Sequence, residues 1–374
     1  MVVGTRLRSF RCSRATRGLA RRSLEPIEDD GCVFFGAGGA AIITGLAQST
    51  IGLFIGLTLM GLFASIYHPV GIAWLVQHSE KRGRSLGVSG LFGSLGTAAA
   101  AIVAGTLADL VSWRAAFIVP GILVMALGVV FLFYMQAGVI GDHDAVVKDR
   151  EPEPSAGEMK RAFITLLMTV VCVGMIFQGT TVVLPKIFSE RLLAGVPDSA
   201  MTAGFLVSLV YLFAAGAQII GGELADRLPI KRVYLGAQLF LLPVLVAAFL
   251  AHSYWIVVFA ILLVSLNTGG QSAENMLVAR YTPLAWRSRA FGVKFLFSLG
   301  VSSLGVALVP LVYGIYGSVG PIFVFFMGFA AVAAICAAFI PSPAQPAKPA
   351  AIAPAPTPAE PGTGVSRVQA ARNA

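Results

Sequence analysis

Ionisable and amide side chains occur inside stretches of the sequence that are otherwise apolar, and these residues could do chemistry. The richest stretch is NTGGQSAENM (267–276), where Asn267, Gln271 and Glu274 recur at the spacing of one helical face and Asn275 follows directly. Glu274 could bind a proton or pair with a cationic group of a solute. The alternative is a structural role, in which Glu274 forms an ion pair or extends toward the end of its helix.

A histidine and a lysine have the same apolar setting. His68 lies in ASIYHPVG (64–71), and an imidazole there can change its charge near neutral pH. Lys294 could offer a positive charge to an anionic solute, or its stem could extend to the nearby end of the helix. The alternative for His68 is an ordinary packing role.

Polar residues inside a membrane usually face an interior cavity, because a charge at the centre of a spanning helix costs about 2.5–3.5 kcal/mol. Gln178 and Thr181 in a further apolar stretch are therefore also candidates for solute contact. The complete predicted lining of a solute or proton pathway is His68, Gln178, Thr181, Asn267, Gln271, Glu274, Asn275 and Lys294.

The elements that must position these residues are membrane-spanning helices. Only 12% of the 374 residues are charged and 57% are hydrophobic, with a mean hydropathy of +0.82, whereas about 25% of the residues of a soluble domain are charged. Because a spanning helix needs about 20 apolar residues, we predict an all-α membrane protein with about ten transmembrane helices. The predicted spans are 32–49, 51–77, 85–108, 114–137, 162–187, 200–223, 233–251, 254–280, 289–313 and 317–340.

Charge and cysteine usage argue against other classes of protein. The net charge is +9, but the basic residues lie in short links and form no continuous patch, so nucleic acid is not an expected partner. The four cysteines have neither metal-ligand spacing nor a disulfide pattern. No phosphate-binding Gly-Lys-Ser/Thr loop and no nucleophile–histidine–carboxylate set stands out. We therefore expect neither an enzyme nor a cofactor.

The links between the apolar stretches alternate in charge. Links on one side carry 13 Lys and Arg residues, whereas links on the other side carry only Arg114, Lys186 and Arg191. Since Lys and Arg are retained on the cytoplasmic side of a membrane, the first set is expected in the cytoplasm. An even number of spans then places both termini there as well.

The chain divides into five segments by composition. A long polar segment separates four predicted spans from six, and a Pro/Ala-rich stretch without a burial pattern follows the last span. The segments are an Arg-rich start (1–31), an incomplete first bundle (32–137), a cytoplasmic central loop (138–161), a six-helix second bundle (162–340) and a disordered tail (341–374).

The two bundles contain a repeated sequence. RGRSLGVSGLF (82–92) and RSRAFGVKFLF (287–297) agree at six of eleven positions, including Arg82 with Arg287, at an offset of 205 residues. Internal repeats of this kind are typical of transporter folds.

A short polar link, GGELADRLPIKR (221–232), resembles the loop signature of the major facilitator superfamily. That signature reads Gly, three residues, Asp, a base, any residue, Gly, any residue and two bases. The residues that fill it are Gly222, Asp226, Arg227, Lys231 and Arg232, whereas Pro229 replaces the second glycine. VSWRAAFIVPG (111–121) is similar to the start of the sixth helix in the family, and Tyr67–Pro69 is similar to a stretch of its fosmidomycin-resistance-type exporters.

The resemblance implies a bundle of twelve helices in two sets of six. It also implies that the quoted link is a latch that must release for the halves to rock, with Asp226 against the N-terminal end of the span that starts near Ser85. With four spans before the central loop and six after it, the chain is expected to lack the first two helices of the family.

The expected function is secondary active transport of small polar or zwitterionic organic solutes by alternating access, with a proton gradient as a candidate driving force. We expect a monomer in the lipid bilayer of a bacterial inner membrane. The alternative is a non-transporting membrane fragment or scaffold derived from such a transporter, and the two missing helices favour that alternative.

Overall fold

A computed structural model describes residues 26–137, 154–193 and 199–342, and all regular structure in these ranges is helical. The α-helices are α1 (Pro26–Gly45), α2 (Thr50–His78), α3 (Arg82–Leu110), α4 (Ala115–Gln136), α5 (Ala156–Arg191), α6 (Ala200–Arg227), α7 (Ile230–Leu250), α8 (Trp255–Gly269), α9 (Gln271–Arg280), α10 (Arg287–Phe295), α11 (Leu304–Tyr316) and α12 (Ile322–Phe339). The expectations for the Arg-rich start and for the Pro/Ala-rich tail lie largely outside the described residues.

The predicted all-α membrane fold is confirmed. Nine helical segments of the described chain are long and apolar enough to cross a membrane, with α8–α9 and α10–α11 each counted as one segment. The apolar part of α1, Val33–Gly45, is shorter. Helix α1 packs closely against α4. A Cβ on Gly38 would overlap the Gly121 carbonyl oxygen of α4, so this approach requires a glycine.

Two of the segments that span the membrane are interrupted. The predicted span 254–280 breaks at Gly270, between α8 and α9. Helix α6 approaches this break so closely that a Cβ on Gly221 would overlap the Gly269 carbonyl oxygen. The predicted span 289–313 also departs from a regular helix, with a π-helical turn (Leu296–Gly300) and a 3₁₀ turn (Val301–Ser303) between α10 and α11.

Helices α1 and α5 each begin six residues before their predicted starts, and α5 begins inside the segment expected to be a loop. Its first turn is closed by a capping box: the Ser155 hydroxyl accepts from the Glu158 amide at 3.3 Å, and the Glu158 carboxylate accepts from the Ser155 amide at 2.9 Å. The Ser-x-x-Glu spacing in the sequence was the signal for this start. Helix α5 then passes Pro185 without ending.

The helices form two halves, α1–α4 and α5–α12. In the second half, one apolar core joins α5, α6, α7, α8, α11 and α12. The repeated arginines have equivalent contacts in the two halves. Arg82 donates to the Val76 carbonyl at the end of α2, at 3.0 Å, and Arg287 donates to the Ala279 carbonyl at the end of α9, at 3.1 Å.

Helices α3 and α6 lie side by side and join the halves along their whole length. Near one end, a Cβ on Gly222 would overlap the Gly83 carbonyl oxygen, and near the other a Cβ on Gly105 would overlap the Ala200 carbonyl oxygen. The two backbones can approach so closely because these positions have no side chain.

The end of the bundle that holds the links after α2, α6 and α9, with Lys81, Arg227 and Arg280, is called the basic end here. A second apolar cluster joins the halves at this end, since it contains Val76 of α2 and Leu86 of α3 together with Phe291 of α10. Helix α2 contacts α9 and α10 in this region. The halves are therefore closed against each other at the basic end.

Candidate functional site

A buried ion pair lies inside the second half. The Lys294 Nζ atom is 2.9 Å from Glu274 Oε1, and each side chain is only 6% exposed. Glu274 lies six residues before the end of α9 and Lys294 seven residues after the start of α10, so the pair is about 10 Å from the basic end at 1.5 Å per residue. Within the described residues, this pair brings together two of the residues predicted from the sequence.

Two neighbouring side chains form further hydrogen bonds with the residues of the pair. The Tyr234 hydroxyl of α7 donates to Glu274 Oε2 at 2.8 Å, and Lys294 Nζ donates to Asn275 Oδ1. Tyr234 is 1% exposed. A buried charge pair is tolerated when its remaining hydrogen-bonding capacity is satisfied, and these contacts do so in part.

Tyr234 was not among the predicted residues. The sequence shows a tyrosine in an apolar stretch, but it does not indicate that α7 packs beside α9.

His68 approaches the ion pair from the first half. Its ring stacks on Phe295, with ring centroids 5.2 Å apart, and Lys294 Nζ lies 5.0 Å from the centroid of the same Phe295 ring. His68 itself is exposed. The contacts thus run from an exposed histidine on α2, through an aromatic ring on α10, to a buried lysine.

Lys294 also lines a small cavity in the second half, between α5, α9 and α10. The polar residues of its lining are Lys294, Tyr281 and Thr282, and the other walls are apolar side chains such as Phe163 and Val278. Glu274 is not part of this lining. Lys294 is therefore the member of the pair that borders the cavity.

The remaining predicted residues of α8 and α9 do not converge on the ion pair. Asn267 donates to the Val173 carbonyl of α5 at 3.3 Å, and its own Oδ1 atom is buried without a partner. Gln271 is half-buried at the start of α9. Since α8 ends at Gly269, the helical face expected to carry Asn267, Gln271 and Glu274 is interrupted.

Gln178 and Thr181 lie on α5 about 12 and 17 Å along the helix from Val170, which lines the small cavity together with Lys294. The Thr181 hydroxyl donates to the Phe177 carbonyl at 2.9 Å and lies 3.0 Å from the buried Tyr211 hydroxyl of α6. Gln178 is half-buried. These two residues belong to a different level of the bundle from Glu274.

The link that carries the loop signature contacts the first half through Asp226. Its Oδ1 atom accepts from the Gly83 amide and its Oδ2 atom from the Arg84 amide, both at 2.8 Å. These amides belong to the first turn of α3, where a helix favours a negative charge. Gly222 permits the close approach of the two helices.

The basic residues of the same link have other surroundings. Arg227 pairs with Glu223 one turn earlier on α6, at 2.6 Å, and its side chain is 74% exposed. Lys231 is half-buried and Arg232 is exposed at the start of α7. These residues lie at the surface of the basic end rather than between the halves.

A corresponding contact occurs at the opposite end of the α3–α6 pair. Asp109 Oδ2 accepts from the Ser199 hydroxyl at 2.9 Å and from the Met201 amide at 2.8 Å, at the start of α6. Asp109 and Asp226 end two copies of one motif, GTLAD (105–109) and GELAD (222–226). Asp109 was not among the predicted residues, although this repeat was visible in the sequence.

Comparisons with known proteins agree with this architecture. A family model described as the Major Facilitator Superfamily matches residues 31–197 and 194–372. A variant of the Escherichia coli fucose:proton symporter FucP is 14% identical, with a TM-score of 0.61 over 84% of this chain and 83% of that chain. FucP in the outward conformation is also 14% identical, with a TM-score of 0.60 over 84% and 82% of the two chains.

The human organic anion transporter MFSD10 (TETRAN) has a similar fold as well. It is 14% identical, with a TM-score of 0.61 over 84% of this chain and 77% of that chain. A search of curated proteins found no match. At this identity the solved structures show the fold, whereas the family model covers most of the sequence. The chain therefore belongs to the Major Facilitator Superfamily and is a membrane transporter of that family.

Proposed function

We propose that this protein is a secondary active transporter that moves small organic solutes by alternating access and couples their movement to protons. The observation that carries this proposal is the Glu274–Lys294 pair, whose side chains are each 6% exposed. Two opposite charges in the interior make the site neutral, so a change in the charge of either residue requires a compensating charge from a solute or a proton. That requirement links solute binding to proton binding.

Glu274 is the proposed proton site. Its carboxylate contacts Lys294 Nζ at 2.9 Å and accepts a hydrogen bond from the Tyr234 hydroxyl at 2.8 Å. If Lys294 turns toward a solute, the buried Glu274 carboxylate loses its counter-ion. Binding of a proton then neutralises the carboxylate. His68 is the proposed contact on the first half, since its ring stacks on Phe295 beside Lys294.

The link that carries the loop signature (221–232) is the proposed latch between the halves. Asp226 holds the first turn of α3 through two hydrogen bonds of 2.8 Å, and these bonds must break if α3 and α6 separate at the basic end. Arg227, Lys231 and Arg232 are proposed to anchor the link at the membrane surface. In this proposal the basic end faces the cytoplasm of a bacterium and the protein works as a monomer.

Gln178, Thr181, Asn267 and Gln271 are proposed as contacts along the path of the solute. Asn267 supports this role best, because its Oδ1 atom is buried without a partner. Fucose:proton symport by FucP and organic anion transport by MFSD10 are properties of proteins with this fold, and both kinds of cargo fit the proposed class of small organic solutes.

The proposal is tested with the purified native chain in lipid vesicles. A panel of radiolabelled sugars, organic acids, amines and amino acids is offered with and without an imposed pH gradient. We expect at least one solute to accumulate only with the gradient. Accumulation of none of them, with protein inserted correctly, would favour a non-transporting membrane protein.

The orientation is tested separately. Single cysteines in place of Lys231 and Arg289 are expected to react with a membrane-impermeant maleimide from the same side of the membrane. A cysteine in place of Arg114, in the link between α3 and α4, is expected to react from the other side. Labelling of Lys231 and Arg289 positions from opposite sides would contradict the proposed topology.

A further inference from the structure

Lys294 and Glu274 differ in their position relative to the small cavity of the second half. Lys294 belongs to the lining of the small cavity between α5, α9 and α10, whereas Glu274 does not. The Lys294 Nζ atom also lies 5.0 Å from the centroid of the Phe295 ring, whose stacking partner His68 is exposed. Glu274 is enclosed by Tyr234 of α7, which is 1% exposed.

Lys294 is the charged residue in the lining of that cavity. The walls around it are mainly apolar, with Phe163 of α5 and Val278 of α9 among them, while Tyr281 and Thr282 add polar atoms. A single cation in an apolar surrounding favours a ligand with one negative charge and an apolar body. A cationic group in this cavity would be repelled by Lys294.

We propose that the site binds small monocarboxylates, and that the carboxylate of the solute replaces Glu274 as the partner of Lys294. This inference rests on the proposed transport function and names its substrate class. When the solute carboxylate pairs with Lys294, the displaced Glu274 carboxylate takes up one proton from the bulk solution, on the side from which the solute enters. The site gains one negative charge from the solute and one positive charge from the proton, so solute and proton move together and the step is electroneutral.

The test uses a variant in which Lys294 has lost its internal partner. In Glu274→Gln the buried lysine is unpaired, so a carboxylate from solution should stabilise the fold. Butyrate and benzoate are expected to raise the Tm of this variant by about 2 °C or more, through binding to the folded state. Butyramide, benzamide and butylammonium, at matched ionic strength, are expected to have no such effect.

The control is the double variant Glu274→Gln with Lys294→Gln, which has the same interior without either charge. Its Tm is expected to be insensitive to butyrate and benzoate. Equal stabilisation by amides and carboxylates, an equal response of the double variant, or no response of Glu274→Gln to any carboxylate would each overturn the inference.

A second measurement needs no variant. Adding benzoate to the native protein in weakly buffered solution is expected to cause the uptake of about one proton per bound benzoate, the number set by neutrality of the site. Binding of benzoate without proton uptake would overturn the inference. If instead a neutral or cationic solute is transported with the pH gradient, the proposed function stands and only the substrate class is wrong.

An independent observation concerns the opposite end of the α3–α6 pair. Asp109 accepts from the Ser199 hydroxyl and the Met201 amide, and it ends the same five-residue motif as Asp226. The two helices are antiparallel, so each aspartate holds the first turn of the helix that carries the other. We infer that Asp109 is a second latch, which must open when the halves separate at the end away from the basic end.

This inference is tested by distance measurement between spin labels on the native fold. Labels at the exposed residues Val111 and Tyr254 report on the end near Asp109, and labels at Lys81 and Arg232 report on the basic end. Asp109→Asn is expected to add a longer component to the 111–254 distances and to leave the 81–232 distances unchanged. Unchanged 111–254 distances, or a change at both ends, would contradict the second latch.

Discussion

Asp109 and Asp226 stand at the same position of two copies of one motif, and each accepts hydrogen bonds from the first turn of the helix that carries the other. Because α3 and α6 run side by side along their whole length, the two contacts close opposite ends of one helix pair. The arrangement gives the halves two equivalent points of attachment, one at each end of the bundle.

Replacing Asp226 by Asn is expected to loosen the basic end. The variant keeps the shape of the side chain but loses the charge that the α3 amides favour, an effect of about 0.3–1 kcal/mol at an exposed helix end. Spin labels at Lys81 and Arg232 should then show a larger fraction of long distances. Glu223→Gln is the matched control, since Glu223 lies on the same helix and pairs with Arg227 instead of α3.

Close contact between the α3 and α6 backbones leads to a second prediction. A methyl group at Gly222 or Gly105 would overlap a carbonyl oxygen of the other helix, so Gly222→Ala and Gly105→Ala should force the helices apart and destabilise the fold by about 1–3 kcal/mol. Gly216→Ala on the same α6 helix meets open space and should not reduce the Tm. Equal Tm values for all three variants would show that the contact does not constrain the helix pair.

The buried ion pair should behave as a unit. Removing one charge leaves the other uncompensated, so Glu274→Gln or Lys294→Gln alone is expected to lower the free energy of unfolding by about 3–5 kcal/mol. The double variant should recover much of this loss, as measured by thermal unfolding. The exposed pair Glu223–Arg227 is the control, and its removal should cost no more than about 1 kcal/mol. Additive effects of the two buried substitutions would argue against a coupled pair.

Tyr234→Phe is expected to weaken the hold on Glu274 without removing a charge. The Glu274 carboxylate loses one hydrogen-bond donor, so accumulation of solute under an imposed pH gradient should fall below that of the native chain. The Tm should also fall, because a buried hydrogen bond to a charged group contributes about 1.5–3 kcal/mol.

Tyr211→Phe serves as the comparison for this prediction. It removes another buried tyrosine hydroxyl, which lies 3.0 Å from Thr181 and away from the ion pair. Its Tm should fall while accumulation of solute under the pH gradient stays as in the native chain. A similar loss of accumulation in both variants would mean that the loss results from general destabilisation.

Much of the fold could be predicted because the bilayer imposes it on the sequence. Apolar stretches of about 20 residues define the spans, and the repeat at 82–92 and 287–297 indicates two related halves. The start of α5 was predicted six residues too late, although Ser155 and Glu158 have capping-box spacing in the sequence. The break at Gly270 depends on how closely α6 approaches, which no local pattern shows.

The candidate site could be predicted only in part, for a similar reason. Glu274 and Lys294 were visible as charges in apolar stretches, but their contact depends on how α9 and α10 pack. Tyr234 is separated from Glu274 by 40 residues, so no local pattern indicates their hydrogen bond. The stacking of His68 on Phe295 is likewise a contact between distant parts of the sequence. Gln178 and Thr181 were predicted, like Glu274, because they are polar residues in an apolar stretch. They lie at another level of the bundle.

The most direct test of the account compares exchange with accumulation in vesicles that contain native protein or Glu274→Gln. With a solute identified for the native chain, the variant is expected to exchange labelled for unlabelled solute across the membrane. It should not accumulate that solute when a pH gradient is imposed, because residue 274 can no longer carry a proton. Accumulation by Glu274→Gln at the native level, driven by the same gradient, would contradict the assignment of Glu274 as the site of proton coupling.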